Sequence, residues 1–213
     1  MANADKILNQ HPLEESNIKK LSELCEEHKF IYHFYDDDTF YSNRLDEERL
    51  EHLKINNDYG LNYQCNISIT DNPYKDIKHR GKFAYKILIG CLNSHAYGEE
   101  KAVKIIKEAF EDKLYVTSSG PGAIEIMEPH VNKWEGVKEL SDFLGIKLDE
   151  IAAIGDSYND LPMVENAKIG FAMGNANDTV KSAADYVVAD NNGNGIKEAA
   201  EIILNFNKEN PSV

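Results

Sequence analysis

From Pro129 onward the chain alternates strictly between helical periodicity and short apolar runs, and this order constrains the fold more than any other feature. Helices are expected at 134–144, 160–166, 177–183 and 195–206, with strands at 150–154, 168–172 and 185–188. Strands separated by helices pair in parallel through crossover connections, which gives half of a doubly wound α/β sheet. The run Ile151-Ala152-Ala153-Ile154 is apolar throughout and fits a strand buried on both faces.

Ahead of Pro129 the pattern differs. A helix at 13–29 puts Ile18, Leu21, Leu24 and Cys25 on one face. A hairpin follows at 30–35 and 39–42, then a polar helix at 46–54 capped by Asp46, and a strand at 64–70. Next come a strand at 83–91 and an amphipathic helix at 99–110. A second hairpin, at 114–118 and 123–127, turns at Gly120-Pro121-Gly122. This is an α+β arrangement of helices on an antiparallel sheet. The expected division is therefore 1–128 and 129–213, with a hinge at 128–132. The first few residues read as core edge or linker.

The stretch carrying the chemistry is Gly155-Asp156-Ser157-Tyr158-Asn159-Asp160, at the carboxyl end of the strand at 150–154. Open α/β sheets bind ligands at that end. Two carboxylates and a carboxamide within six residues suit a hard cation with oxygen ligands. Asp156 is the first choice of metal ligand, Asp160 a metal-site residue acting through water or from behind the ligand, and Asn159 a hydrogen-bonding group of the site. Asn175 is open between a phosphate- or substrate-side group and a plain turn residue. Lys133 opens a helix, where a cation opposes the helix dipole, which favours a functional role. The Asp190–Gly195 run, rich in Asn and Gly, reads as a flexible loop.

The order Val131-Asn132-Lys133-Trp134, Gly155 to Asp160, Ala172-Met173-Gly174-Asn175-Ala176 and Val180 to Val188 resembles the haloacid dehalogenase superfamily of phosphohydrolases, most closely its Cof-type branch. The resemblance implies a partial Rossmann-like parallel-sheet core, residues 129–213, and an α+β cap domain, residues 1–128. It also implies Mg2+, with Asp156 as its ligand, Lys133 as the phosphate-binding lysine, and hydrolysis of a small phosphorylated metabolite through an aspartyl-phosphate. The family's nucleophile motif, Asp-x-Asp-Gly-Thr, has no match in its expected context. Trp134 also replaces the small residue common after the lysine. Met1 to Leu8 resembles the segment after the family's third core strand, which implies roughly 60–90 residues ahead of it in a complete member. Asp36-Asp37-Asp38-Thr39-Phe40 looks like a damaged nucleophile motif, but it lies between two predicted strands and reads as a hairpin turn. With the nucleophile absent, the chain alone is expected to be inactive. The alternative is a non-catalytic binding or oligomerisation module, with the open edge of the core as a surface for homodimers.

A net charge of −14 argues against nucleic acid and anionic membranes as partners. His79, Arg80 and Lys82 form one basic cluster and read as a solvated loop, and His130 is a weak candidate for lining the cleft. Three cysteines, Cys25, Cys65 and Cys91, are widely spaced and suggest neither zinc nor a disulfide framework. With no signal peptide or membrane-length apolar run expected, the reading is cytoplasmic.

Overall fold

The computed structural model describes residues 7–44, 66–90 and 96–210. Two compact units emerge: 1–117 with 121–129, and 118–120 with 130–213. The helix expected at 46–54 and the residues Cys65 and Cys91 lie outside the described residues.

The first unit begins with α1 (Glu15–Glu27), which buries Ile18, Leu21 and Cys25 at helical spacing. The strands are β1 (Ile31–Tyr35), β2 (Thr39–Ser42), β3 (Asn66–Ile69), β4 (Lys86–Gly90), β5 (Tyr115–Gly120, whose last three residues count with the second unit) and β6 (Ala123–Met127). Two more helices, α2 (Pro73–His79) and α3 (Gly98–Ala109), complete the unit. The sheet runs β3-β2-β1-β4-β6-β5. Register alternates side chains cleanly. Phe34 stands opposite Ile87 and Tyr41, and Ile87 opposite Ile126. Together with Tyr32, Ile89 and Ile124 these form the core on which α1 and α3 pack. Residues alternating with them include a pair between His33 Nε2 and Tyr35 Oη at 2.8 Å and an ion pair between Lys86 and Glu125 at 3.0 Å.

Two features depart from the expectation. The sheet is mixed, because β3 lies parallel to β2, with Phe40 opposite Ile67. A parallel pair needs a crossover of roughly a dozen residues or more, and the chain from Ser42 to Asn66 is long enough to supply one. The second departure is α2, which sequence periodicity does not announce. Asn72 caps it by accepting a hydrogen bond from the Lys75 N–H at 2.9 Å, and Pro73 stands at its start. As a result His79 ends a helix rather than lying in a loop. Arg80 pairs with Asp76 at 3.3 Å and Lys82 with Asp37 at 2.8 Å.

The second unit contains α4 (Lys133–Leu144), β7 (Ala152–Gly155), α5 (Leu161–Asn166), β8 (Ile169–Ala172), α6 (Asp178–Ala183), β9 (Tyr186–Val187) and α7 (Gly195–Glu209). Its strands are parallel in the order β7-β8-β9. Alternation along β8 divides the core. Ile169 and Phe171, with Met173 beyond them, join Val188 and Ala199 beneath α7. Ala172 joins Val164 and Val180 beneath α5 and α6. Among the described residues β7 has only β8 beside it, so Ala152 is exposed and Ala153 and Ile154 are half-buried. The expectation of a strand buried on both faces is not met among the described residues, none of which pairs with its outer edge.

Two glycines should respond oppositely to Ala. A Cβ on Gly170 would lie 2.0 Å from the Val164 carbonyl oxygen, so Gly170→Ala should destabilise the fold by roughly 2–3 kcal/mol. Gly136, exposed inside α4, has nothing within 4 Å of such a Cβ, and Gly136→Ala should stabilise by about 0.5–1 kcal/mol. Urea unfolding of the two variants checks both signs.

Candidate active site

The candidate site is built where β7 ends and the chain turns towards α5. Gly155 is required by contact, since a Cβ there would lie 2.3 Å from the Cβ of Asp160. That closeness lets the Asp160 side chain fold back under the turn. Its Oδ2 accepts hydrogen bonds from the backbone N–H groups of Asp156 at 3.0 Å and Ser157 at 3.2 Å. Its Oδ1 forms an ion pair with the Lys133 Nζ. The Asp160 side chain is only 8% exposed, while that of Lys133 is 49% exposed. Burial opposes ionisation of Asp160, but the Lys133 ammonium and the two amides outweigh it and hold the carboxyl below the usual range. The pair also offsets the cost of a cation at the start of α4. Asn132 caps the same helix by accepting from the Glu135 N–H at 3.1 Å, which fixes the backbone from which Lys133 projects.

Asp156 is placed differently. Its Oδ1 accepts from the Ser157 hydroxyl at 3.2 Å and its Oδ2 from the Asn175 Nδ2 at 2.9 Å. A carboxylate has about four lone-pair sites, so Asp156 keeps acceptor capacity beyond these two bonds. It lines a cavity of about 690 Å³ with Asp160, Met173, Asp190, Asn191 and Lys197. Asn159 takes part through its backbone, donating to the Ser118 carbonyl at 3.1 Å within the second unit. The structure thus gathers Asp156, Asp160, Lys133 and Asn175 around the end of β7. His130 is exposed, with a left-handed φ of 64°, and is not among the residues lining the cavity. The Asp190–Gly195 run makes specific hydrogen bonds that its composition does not announce. The Asn192 N–H donates to Asp190 Oδ1 at 3.0 Å and the Asn191 N–H to Asn175 Oδ1 at 3.1 Å. The signal for this lies in Gly174 and Gly195, where a Cβ would meet the backbone of residues 188–190.

The acceptors left open at this turn are carboxylate oxygens of Asp156, since Asp160 is taken up by Lys133 and two amides; oxygen ligands suit a hard cation such as Mg2+ and not a thiophilic one. A second acidic cluster exists among the described residues. The carboxylates of Asp36, Asp37 and Asp38 lie within 4.8 Å of one another in the β1–β2 turn. Asp36 is already engaged by the N–H groups of Asp38 and Thr39 and by the Tyr41 hydroxyl, and Lys82 pairs with Asp37 and Asp38. The hairpin-turn reading accounts for this geometry.

A family model for haloacid dehalogenase-like hydrolases matches residues 1–199. The chain belongs to that family. Among its relatives are the 5-amino-6-(5-phospho-D-ribitylamino)uracil phosphatase YcsE of Bacillus subtilis, 36% identical over 97 residues, which cover 45% of this chain and 39% of that protein. Phosphoglycolate phosphatase 1 of Saccharolobus solfataricus is 37% identical over 101 residues, covering 47% of this chain and 44% of that protein. The chain thus spans less than half the length of either relative. Among solved structures, a subclass IIB sugar phosphatase of the superfamily superposes with a TM-score of 0.74 at 20% identity, covering 93% of this chain and 70% of that one. At that identity the likeness speaks for the fold.

Within this member of the family, Asp160 is the hinge of the site's electrostatics, and its titration tests the pairing. Lys133→Met should raise the Asp160 pKa, read by carboxyl NMR; an unchanged value would contradict the pairing. Because the folded pKa is depressed, Asp160 contributes stability above its unfolded pKa of about 3.9 and loses it as pH falls through the lower folded value. The acid limb of stability should therefore be shallower in Lys133→Met than in the wild type.

Proposed function

We propose that this chain supplies the metal- and phosphate-holding part of a Mg2+-dependent phosphohydrolase for a small phosphorylated metabolite, such as a sugar phosphate. The observation that carries this reading is the Asp160 carboxylate, which holds Lys133 and the Asp156 turn together at the end of a parallel strand. Relatives named as phosphatases of small phosphorylated compounds support it. Mg2+ held by Asp156 would neutralise phosphoryl oxygens. Lys133, oriented by Asp160, would add a second positive charge on the same oxygens, the part of phosphoryl transfer that depends most on electrostatics. A carboxylate nucleophile would form an aspartyl-phosphate and expel the alcohol, and water would then hydrolyse that intermediate. In this reading the nucleophile comes from a segment outside the 213 residues, because the chain has no Asp-x-Asp-Gly-Thr and Asp36 is occupied in its turn. Residues 1–128 would act as the cap that selects the substrate, and a cytoplasmic setting fits such a metabolite.

The test is phosphate release from a panel of sugar phosphates by a longer product of the same reading frame. Asp156→Asn should abolish Mg2+-dependent turnover. Lys133→Ala should lower kcat by roughly 10²-fold or more. Undiminished turnover in Asp156→Asn would contradict the assignment, as would Mg2+-dependent activity of the 213-residue chain that Asp36→Asn abolishes.

One observation favours a second reading, a non-catalytic binding or oligomerisation module. The outer edge of β7 is open among the described residues, and Phe143 and Leu144 of α4 are 52% and 53% exposed. Two copies could pair through such an edge. That reading predicts concentration-dependent self-association by sedimentation equilibrium and no turnover in any longer product; turnover lost in Asp156→Asn would rule it out.

A further inference from the structure

Asn175 stands between two parts of the site that are distant in sequence. Its Nδ2 donates to Asp156 Oδ2 at 2.9 Å, and its Oδ1 accepts from the Asn191 N–H at 3.1 Å. A side-chain amide offers a donor and an acceptor on one rigid group, so it can serve a carboxylate and a backbone N–H together. The segment around Asn191 is pressed onto the Gly174–Asn175 turn. The Gly174 N–H donates to the Ala189 carbonyl at 3.3 Å, and a Cβ on Gly174 would lie 2.8 Å from the Asp190 nitrogen. The far side of this segment is fixed to α7, where the Ala189 N–H donates to Glu198 Oε2 at 2.8 Å. Asp190, Asn191 and Lys197 then form a wall of the cavity that Asp156 also lines.

We propose that Asn175 is a positioning residue that fixes the Asp156 carboxylate and couples it to the 189–195 segment, so that a divalent cation at Asp156 orders that wall of the cavity. The proposal rests on the reading of Asp156 as a cation ligand. A cation on Asp156 withdraws freedom from its carboxylate, and the Asn175 amide passes this restriction to the Asn191 N–H. By linkage, an ordered segment in turn strengthens cation binding. Hydrogen-bond partners of metal ligands typically contribute 10–100-fold to metal affinity.

The experiment uses the whole 213-residue chain and the metal alone. Mn2+ affinity is read by electron paramagnetic resonance, and exchange of the 189–195 amides is followed by hydrogen–deuterium exchange with and without Mg2+. Asn175→Ala should weaken Mn2+ binding about 10-fold and abolish the slowing of exchange by Mg2+, at an unchanged unfolding midpoint. Asn166→Ala, at the end of α5 with its side chain bonded to the Pro162 carbonyl, should match the wild type in both readouts. Wild-type Mn2+ affinity in Asn175→Ala, or slowing of exchange that survives in it, would overturn the proposal while leaving the Asp156 reading intact. Absence of Mn2+ binding in the wild type would overturn both.

Discussion

The site depends on one buried carboxylate. Asp160 folds under the turn that follows β7 and accepts from two backbone amides and one ammonium. Removing Lys133 would leave the Asp160 carboxylate without its ion-pair partner, at a cost that solvent around the half-exposed lysine keeps below that of a fully buried pair. Gly155 makes the approach possible, Asn132 starts the helix that brings Lys133, and the amide bonds shape the backbone that displays Asp156. Asp156 can be left with spare acceptor capacity because Asp160 has taken over the structural work of the loop.

This division also separates two acidic clusters among the described residues. In the β1–β2 turn, Asp36 serves its own backbone and Tyr41, and Lys82 neutralises the neighbouring carboxylates. Those are groups a turn uses up. At the end of β7, a parallel strand points Asp156 into a cavity, and the neighbouring lysine is held by a different carboxylate. Three carboxylates in the turn are thus used up, whereas one of the two at the end of β7 keeps acceptor capacity, because their hydrogen bonds are distributed differently.

Much of this was readable from residues. The helix–strand alternation after Pro129 is local, and so is the Gly-Asp-Ser-x-Asn-Asp turn, so both could be placed without knowing any long-range contact. The direction of the Asp160 side chain could not, because it depends on the space Gly155 leaves and on α4 bringing Lys133 alongside. The parallel pairing of β3 with β2 was hidden for a similar reason, since strand direction is set by the route of a connection and not by the strand's own residues. The short helix α2 has too few turns for a periodicity, and its start signal is the Asn72-Pro73 pair alone. The hydrogen bonds of the 189–195 segment were hidden by its loop-like composition, because their partners lie across the site on Gly174 and Asn175.

The most direct test of the central claim is the position of a bound cation. Crystals of the chain soaked in Mn2+ and measured at the manganese absorption edge should give an anomalous peak within coordination distance, about 2.0–2.6 Å, of the Asp156 carboxylate. A peak at Asp36–Asp38 with none at Asp156 would contradict the account, and would move the search for chemistry to the first unit.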